Sequence, residues 1–160
     1  MYPVATGADC SLTESALDLR LPLSYRKFVT AFSNGAYLYT LQEVSSVGNE
    51  NRQIGAIQNV IPSVIGSNSE ERISYYDGGS TRLANLIPFS LDSNANAWCF
   101  IVEPGSEEEP PVAYFETSNR KLYGELPSFV AWLEVLIENE DEVIRSLYDE
   151  DFINDELGLG

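Results

Sequence analysis

The run Asp92-x-Asn94-x-Asn96-Ala97, followed after five residues by Glu103, comes nearest in this chain to a spaced chemical site. Oxygen ligands at alternate positions can converge on a hard cation, and a terminal glutamate can close the shell through both its oxygens. The spacing matches an EF-hand calcium loop at each ligand position. Its sixth residue, however, is Ala97, where the loop needs glycine at positive φ. Pro88 before it, Pro104-Gly105 after it and the apolar stretch Trp98–Val102 read as strands where helices are needed. An aspartate-anchored hairpin turn is the expected structure, with no metal ligand assigned.

Composition narrows the remaining catalytic chemistry to carboxylates, tyrosine or lysine as the groups that move protons. The chain has no histidine, which removes serine and cysteine nucleophile activation by imidazole and the usual neutral-pH proton shuttle. Its two lysines, Lys27 and Lys121, lie in no phosphate-binding loop. Neither a Walker-type nor a dinucleotide-binding glycine pattern occurs, and Asp77-Gly78-Gly79 has no following lysine, so it reads as a hairpin turn. The expectation is a chain with no catalytic residues and no cofactor. Cys10 and Cys99 form no disulfide framework or zinc cluster; with no basic, apolar leader at the N-terminus, a reducing cytosol is the expected setting.

Charge carries more information. The net charge is −16, and the acids are unevenly placed: residues 1–80 hold 8 acids and 5 bases, residues 81–160 hold 17 acids and 4 bases. Nucleic acid and anionic membrane both need a cationic face, so neither is an expected partner. A basic protein is attracted instead, and the same surplus acid keeps a protein soluble. Glu107-Glu108-Glu109, near Glu103, forms one cluster on a proline-flanked loop. Glu138, Glu140, Asp141 and Glu142 form another. The loop cluster is the stronger candidate for partner contact, because loops are free to carry function.

The elements that position these groups follow from periodicity. Leu12–Leu19 reads as a short helix. A second runs from Leu21-Pro22, with Pro22 in its first turn, and ends at Asn34-Gly35. Tyr25, Phe28, Val29 and Phe32 share one face of it. Tyr37–Leu41 reads as a strand, residues 45–56 as a loop, and Gln58–Gly66 as ambiguous because Pro62 interrupts an apolar run. Leu86–Leu91, Trp98–Val102 and Val112–Glu116 suggest an antiparallel meander. Phe129, Trp132, Leu133, Leu136 and Ile137 share a helical face, and a last helix is expected through Val143, Ile144, Leu147 and Tyr148 before an acidic tail. Most aromatics fall at core positions, while Tyr37, Tyr39 and one of Tyr75 and Tyr76 can line a surface.

The Leu-Pro-x-x-Tyr-x-x-Phe helix closed by Asn34-Gly35, the Ile87-Pro88-Phe89 strand with its polar Asp92 turn, and the Ser128-Phe129-x-x-Trp132-Leu133 helix together resemble the SUKH superfamily. That group includes bacterial immunity proteins and fungal regulators of cell-wall assembly. The resemblance runs from about Leu12 to Ile137. It implies a single α+β domain over residues 1–160, its core within about 12–148 and a tail over 149–160, with a mostly antiparallel twisted sheet flanked by N-terminal and C-terminal helices. It also implies a protein-binding immunity protein that neutralises a basic toxin, possible nuclease chemistry belonging to that toxin. Asp92, Glu103, Glu107, Glu108 and Glu109 then set the attraction, and exposed tyrosines anchor the contact. A regulatory or adaptor module is the alternative; an enzyme or calcium module ranks below both.

Overall fold

Helix α1 (Gly7–Leu17) begins well before the apolar pattern because Thr6 and Asp9 build a reciprocal cap. The Asp9 N–H donates to Thr6 Oγ1 at 3.2 Å, and the Thr6 N–H donates to Asp9 Oδ2 at 2.9 Å, satisfying two backbone donors that the first turn leaves open. In this computed structural model the described residues are 2–38, 42–49, 54–64, 71–92, 94–106 and 108–138, the side chains of 62–64 and 137 excepted. The expected helix through Val143 to Tyr148, the acids at 140–142 and the tail lie outside them.

Helix α2 (Leu23–Ala31) has Pro22 as its N-cap, one residue outside the helix rather than in its first turn. It also stops earlier than expected, with Phe32 as C-cap. Asn34-Gly35 lies beyond that end and serves a different turn. The Asn34 amide exchanges two hydrogen bonds with the Val47 backbone, at 3.0 and 2.9 Å. Gly35 at φ 89° then swings the chain into β1 (Ala36–Leu38), a turn that the left-handed freedom of glycine permits. Strand β1 pairs antiparallel with β2 (Gln42–Val44), placing Tyr37 opposite Glu43. The ambiguous Gln58–Gly66 segment is helical: α3 spans Ile57–Val64, at the cost of the one intrahelical bond that the Pro62 nitrogen cannot donate.

Strands β3 (Arg72–Tyr75) and β4 (Ser80–Arg82) form a hairpin around Gly78 and Gly79. The meander contains β5 (Leu86–Leu91), β6 (Ala97–Ile101), β7 (Val112–Glu116) and a further strand, β8 (Lys121–Leu126). Six strands run in the order β4-β3-β8-β7-β6-β5, antiparallel except for β3 against β8. Pro88 lies in β5, where the register shifts between Pro88 and Ser90; a sheet tolerates proline at such an edge. Helix α4 (Phe129–Glu138) follows. The α+β architecture is as the sequence implied.

Strands β5, β6 and β7 are largely apolar because both faces are covered. Along β6, Trp98 and Phe100 point to one core with Phe89, Phe129 and Trp132; Ala97, Cys99 and Ile101 join Ile73, Leu83 and Phe115 in another. Tyr25 locks α2 into the larger core, edge-on to Phe100 at 5.5 Å and to Phe129 at 5.7 Å. Its hydroxyl donates to the Ser45 carbonyl at 2.6 Å, so a fully buried polar group keeps a partner. Phe32, expected on the same face, is instead 49% exposed at the far end of the helix. No helix of the described residues is long and apolar enough to cross a membrane.

Candidate functional site

The loop between β6 and β7 folds back onto the N-terminus of α2. A helix that opens on proline has no side-chain cap of its own, leaving its first N–H groups unpaired. Glu109 supplies the acceptor from 85 residues away: its Oε1 accepts the Ser24 N–H at 3.2 Å and also the Ser24 hydroxyl. A second carboxylate, Glu14 on α1, accepts the Leu21 N–H at 2.9 Å and pairs with Arg26 at 3.2 Å. Both acids lie where the helix dipole favours negative charge.

These contacts frame a cleft of about 670 Å³, lined by Glu14, Arg20, Leu23 and Arg26 on one side and by Glu103, Glu108 and Glu109 on the other. Glu103 and Glu108 are exposed on its rim. Asn85 reaches Glu103 at 3.5 Å, and the Glu108 N–H donates to Ser106 Oγ at 3.3 Å. Leu23, at 61% exposure, is the most exposed of the large apolar side chains among the described residues. The cleft thus combines an apolar step, an acidic rim and two guanidinium groups.

The candidate acids therefore divide. Glu103, Glu108 and Glu109 come together at the cleft, Glu109 being occupied as a cap; Glu107 lies outside the described residues. Asp92 is not with them: it stands at the opposite end of β6 and is buried. Its Oδ1 accepts the N–H groups of Asn94 at 2.9 Å and Asn96 at 3.0 Å, and its Oδ2 accepts the Tyr114 hydroxyl. Ala95, at φ 62°, takes the left-handed position of that turn, and Ala97 already belongs to β6. This is an aspartate-anchored hairpin with Glu103 a strand-length away. No group of three potential ligand side chains that could hold a metal occurs among the described residues. Arg20, Arg26, Glu14 and Leu23 were not among the expected site residues; the only signal for them was their place beside the Leu-Pro helix entry.

The whole arrangement, from the capped first helix to α4, can be compared with known families. A family model for the SMI1/KNR4 family (SUKH-1) matches residues 5–135. The chain belongs to the SMI1/KNR4 family. Neither a curated protein nor a solved structure gives a match. Membership of SUKH-1 is consistent with an immunity or regulatory protein that acts through protein contacts rather than by catalysis.

Two outcomes follow from the carboxylates of this SUKH-1 chain. Replacing Glu109 by glutamine keeps an acceptor oxygen but removes the charge; replacing it by alanine removes both. Glu109→Ala is expected to lower stability by about 0.5–2 kcal/mol, the range of a lost helix cap, and Glu109→Gln by less. Equal stability of the wild type and the alanine variant in urea denaturation would exclude the capping role. For Asp92, burial pushes the carboxyl above its ordinary range, while the bonds from Tyr114, Asn96 and Asn94 pull it back only in part. The folded state therefore binds the proton more tightly than the unfolded chain does. Its contribution to stability is greatest at low pH and declines as pH rises from the ordinary value of about 3.9 through the raised one. The stability of wild type minus that of Asp92→Asn should accordingly fall with pH across that window; a rising difference in pH-dependent denaturation would contradict the assignment.

Proposed function

We propose that this chain is a protein-binding immunity protein that neutralises a basic toxin domain, and that the cleft beside α2 is its contact surface. The observation that carries this reading is the Glu109 clasp: with one carboxylate tied to Ser24, the loop holds Glu103 and Glu108 outward beside exposed Leu23. A docking surface of this kind has an apolar step to desolvate and a charged rim to steer, and a preset loop loses little freedom on binding. Arg20 and Arg26 add selectivity, since a partner must place acid or carbonyl oxygen opposite them as well as lysine or arginine opposite the rim. The net charge of −16 supplies the longer-range attraction.

The test is capture from lysate of the source cells on the immobilised chain, at low salt and at roughly 0.5 M, where screening acts within a few ångströms. The captured protein is then assayed for toxicity with and without this chain. A basic protein held through high salt, whose toxicity this chain abolishes, supports the proposal. A retained protein with no toxic activity moves the reading to a regulator or adaptor.

A further inference from the structure

The end of α2 remote from the cleft carries a second surface of different character. Phe32 and Tyr37 are 49% and 53% exposed, and with Tyr2 and Leu38 they line a hollow of about 350 Å³. Exposed apolar side chains scattered singly need no explanation, but aromatic rings grouped around a hollow are characteristic of contact sites. The rings are held in place. Phe32 packs against Phe28 at 5.1 Å, the Tyr2 N–H donates to Ser33 Oγ at 2.9 Å, and Tyr37 is fixed in the β1–β2 ladder.

Beside Tyr37, next to the residues that line the hollow, stands a carboxylate. Glu43 lies directly across the ladder from Tyr37, is half-buried, and forms no ion pair with a lysine or arginine among the described residues. Desolvation raises its carboxyl pKa, and its charge is the largest cause raising the Tyr37 hydroxyl pKa. Ring and carboxylate therefore sense one another with no intervening cation among the described residues. A half-desolvated carboxylate that lacks a counter-charge is stabilised by acquiring one.

The geometry points to a recognition pocket for one arginine side chain of a protein partner, its guanidinium against the Tyr37 ring and the Glu43 carboxylate and its alkyl stem over Phe32. Arginine suits the hollow better than lysine because its planar, weakly hydrated head stacks on aromatic faces and meets a carboxylate through a fork. Charge complementarity favours this occupant over an apolar or acidic segment. The partner it implies is the basic protein proposed above, on which this inference rests for its biological source; the pocket itself can be probed without that partner.

The probe is a blocked glycine-serine-arginine-serine-glycine peptide titrated into the full-length, isotope-labelled chain at low salt and followed by amide chemical shifts. The same peptide with citrulline, uncharged but of equal shape, serves as control. Saturable shifts at Tyr2, Phe32, Tyr37 and Glu43 with arginine, and none with citrulline, are expected. Glu43→Gln and Tyr37→Ala should each weaken binding about fivefold. Glu43→Gln changes no volume, so it carries the test if Tyr37→Ala perturbs the fold. Equal shifts with both peptides, shifts spread evenly over the acidic surface, or shifts confined to Glu103 and Glu108 would overturn the pocket. That last pattern would leave the proposed function standing, whereas a captured partner with no toxic activity would remove the function and not the pocket.

Discussion

Truncating Trp132 to alanine is expected to destabilise the protein by about 3–5 kcal/mol, the range for large aromatic side chains removed from a core. The reason is its place on α4. Trp132 is fully buried, stacked on Phe129 at 5.7 Å, edge-on to Phe89 at 5.0 Å and 6.3 Å from Trp98. It is where α4 meets β5 and β6, and the surrounding rings are too rigid to close the space it leaves. Domains of this size hold only about 5–15 kcal/mol in all, so the variant approaches the unfolding threshold. On the same helix Val130 is exposed, and Val130→Ala should stay within about 0.5 kcal/mol of the wild type. Denaturant midpoints at constant slope read both; a Trp132→Ala loss under about 1 kcal/mol would mean that α4 is not part of the cooperative core.

Reversing charge at the cleft should act on rate rather than on stability. Glu103→Lys with Glu108→Lys is expected to slow association with a basic partner roughly tenfold at low salt and to flatten its salt dependence. The comparison is made at about 0.01 M and about 0.1 M salt, between which the screening length falls from about 30 Å to about 10 Å. Because each acid-to-lysine change reduces the magnitude of the net negative charge, the control carries the same change elsewhere. Asp77→Lys, exposed in the β3–β4 turn, should slow association far less than Glu108→Lys does. If the two single variants slow it equally, the overall field matters and the cleft does not. Dissociation should change little for either, since rim charges steer encounter while the desolvated centre sets residence time.

What could be read from the sequence was the local part of the structure. Pro22 and the spacing of Tyr25 and Val29 announced α2, and apolar runs bounded by turn residues marked β5, β6 and β7. The Asp92 turn was legible too, because its bonds to Asn94 and Asn96 span four residues at most. The hydroxyl that completes the burial of Asp92 comes from Tyr114, 22 residues on, so the same aspartate passed for a surface charge. Strand β8 was hidden because Lys121-Leu122-Tyr123-Gly124-Glu125-Leu126 mixes charge, glycine and apolar residues over six positions. Its parallel partner β3 is separated from it by most of the meander.

The candidate site shows the same limit more sharply. Glu108 and Glu109 are identical neighbours in sequence, yet one faces solvent and the other caps a helix 85 residues earlier. Nothing local separates them; the difference is made by where the loop lands. Leu23 reads as a helix-start apolar residue and becomes the exposed step of the cleft for the same reason.

The parallel seam between β3 and β8 divides the sheet into unequal units of cooperativity. Only two residue pairs register across it, Ser74 with Lys121 and Tyr75 with Leu122, reinforced by the twofold Arg120–Glu71 contact at 2.8 and 2.7 Å. The β5–β8 meander is held by longer ladders between consecutive strands. The β3–β4 hairpin is therefore expected to open at less than the global unfolding free energy, uncovering the second core around Ile73 while the larger core with α2 stays packed. The sheet margin can breathe while the face proposed for recognition stays rigid.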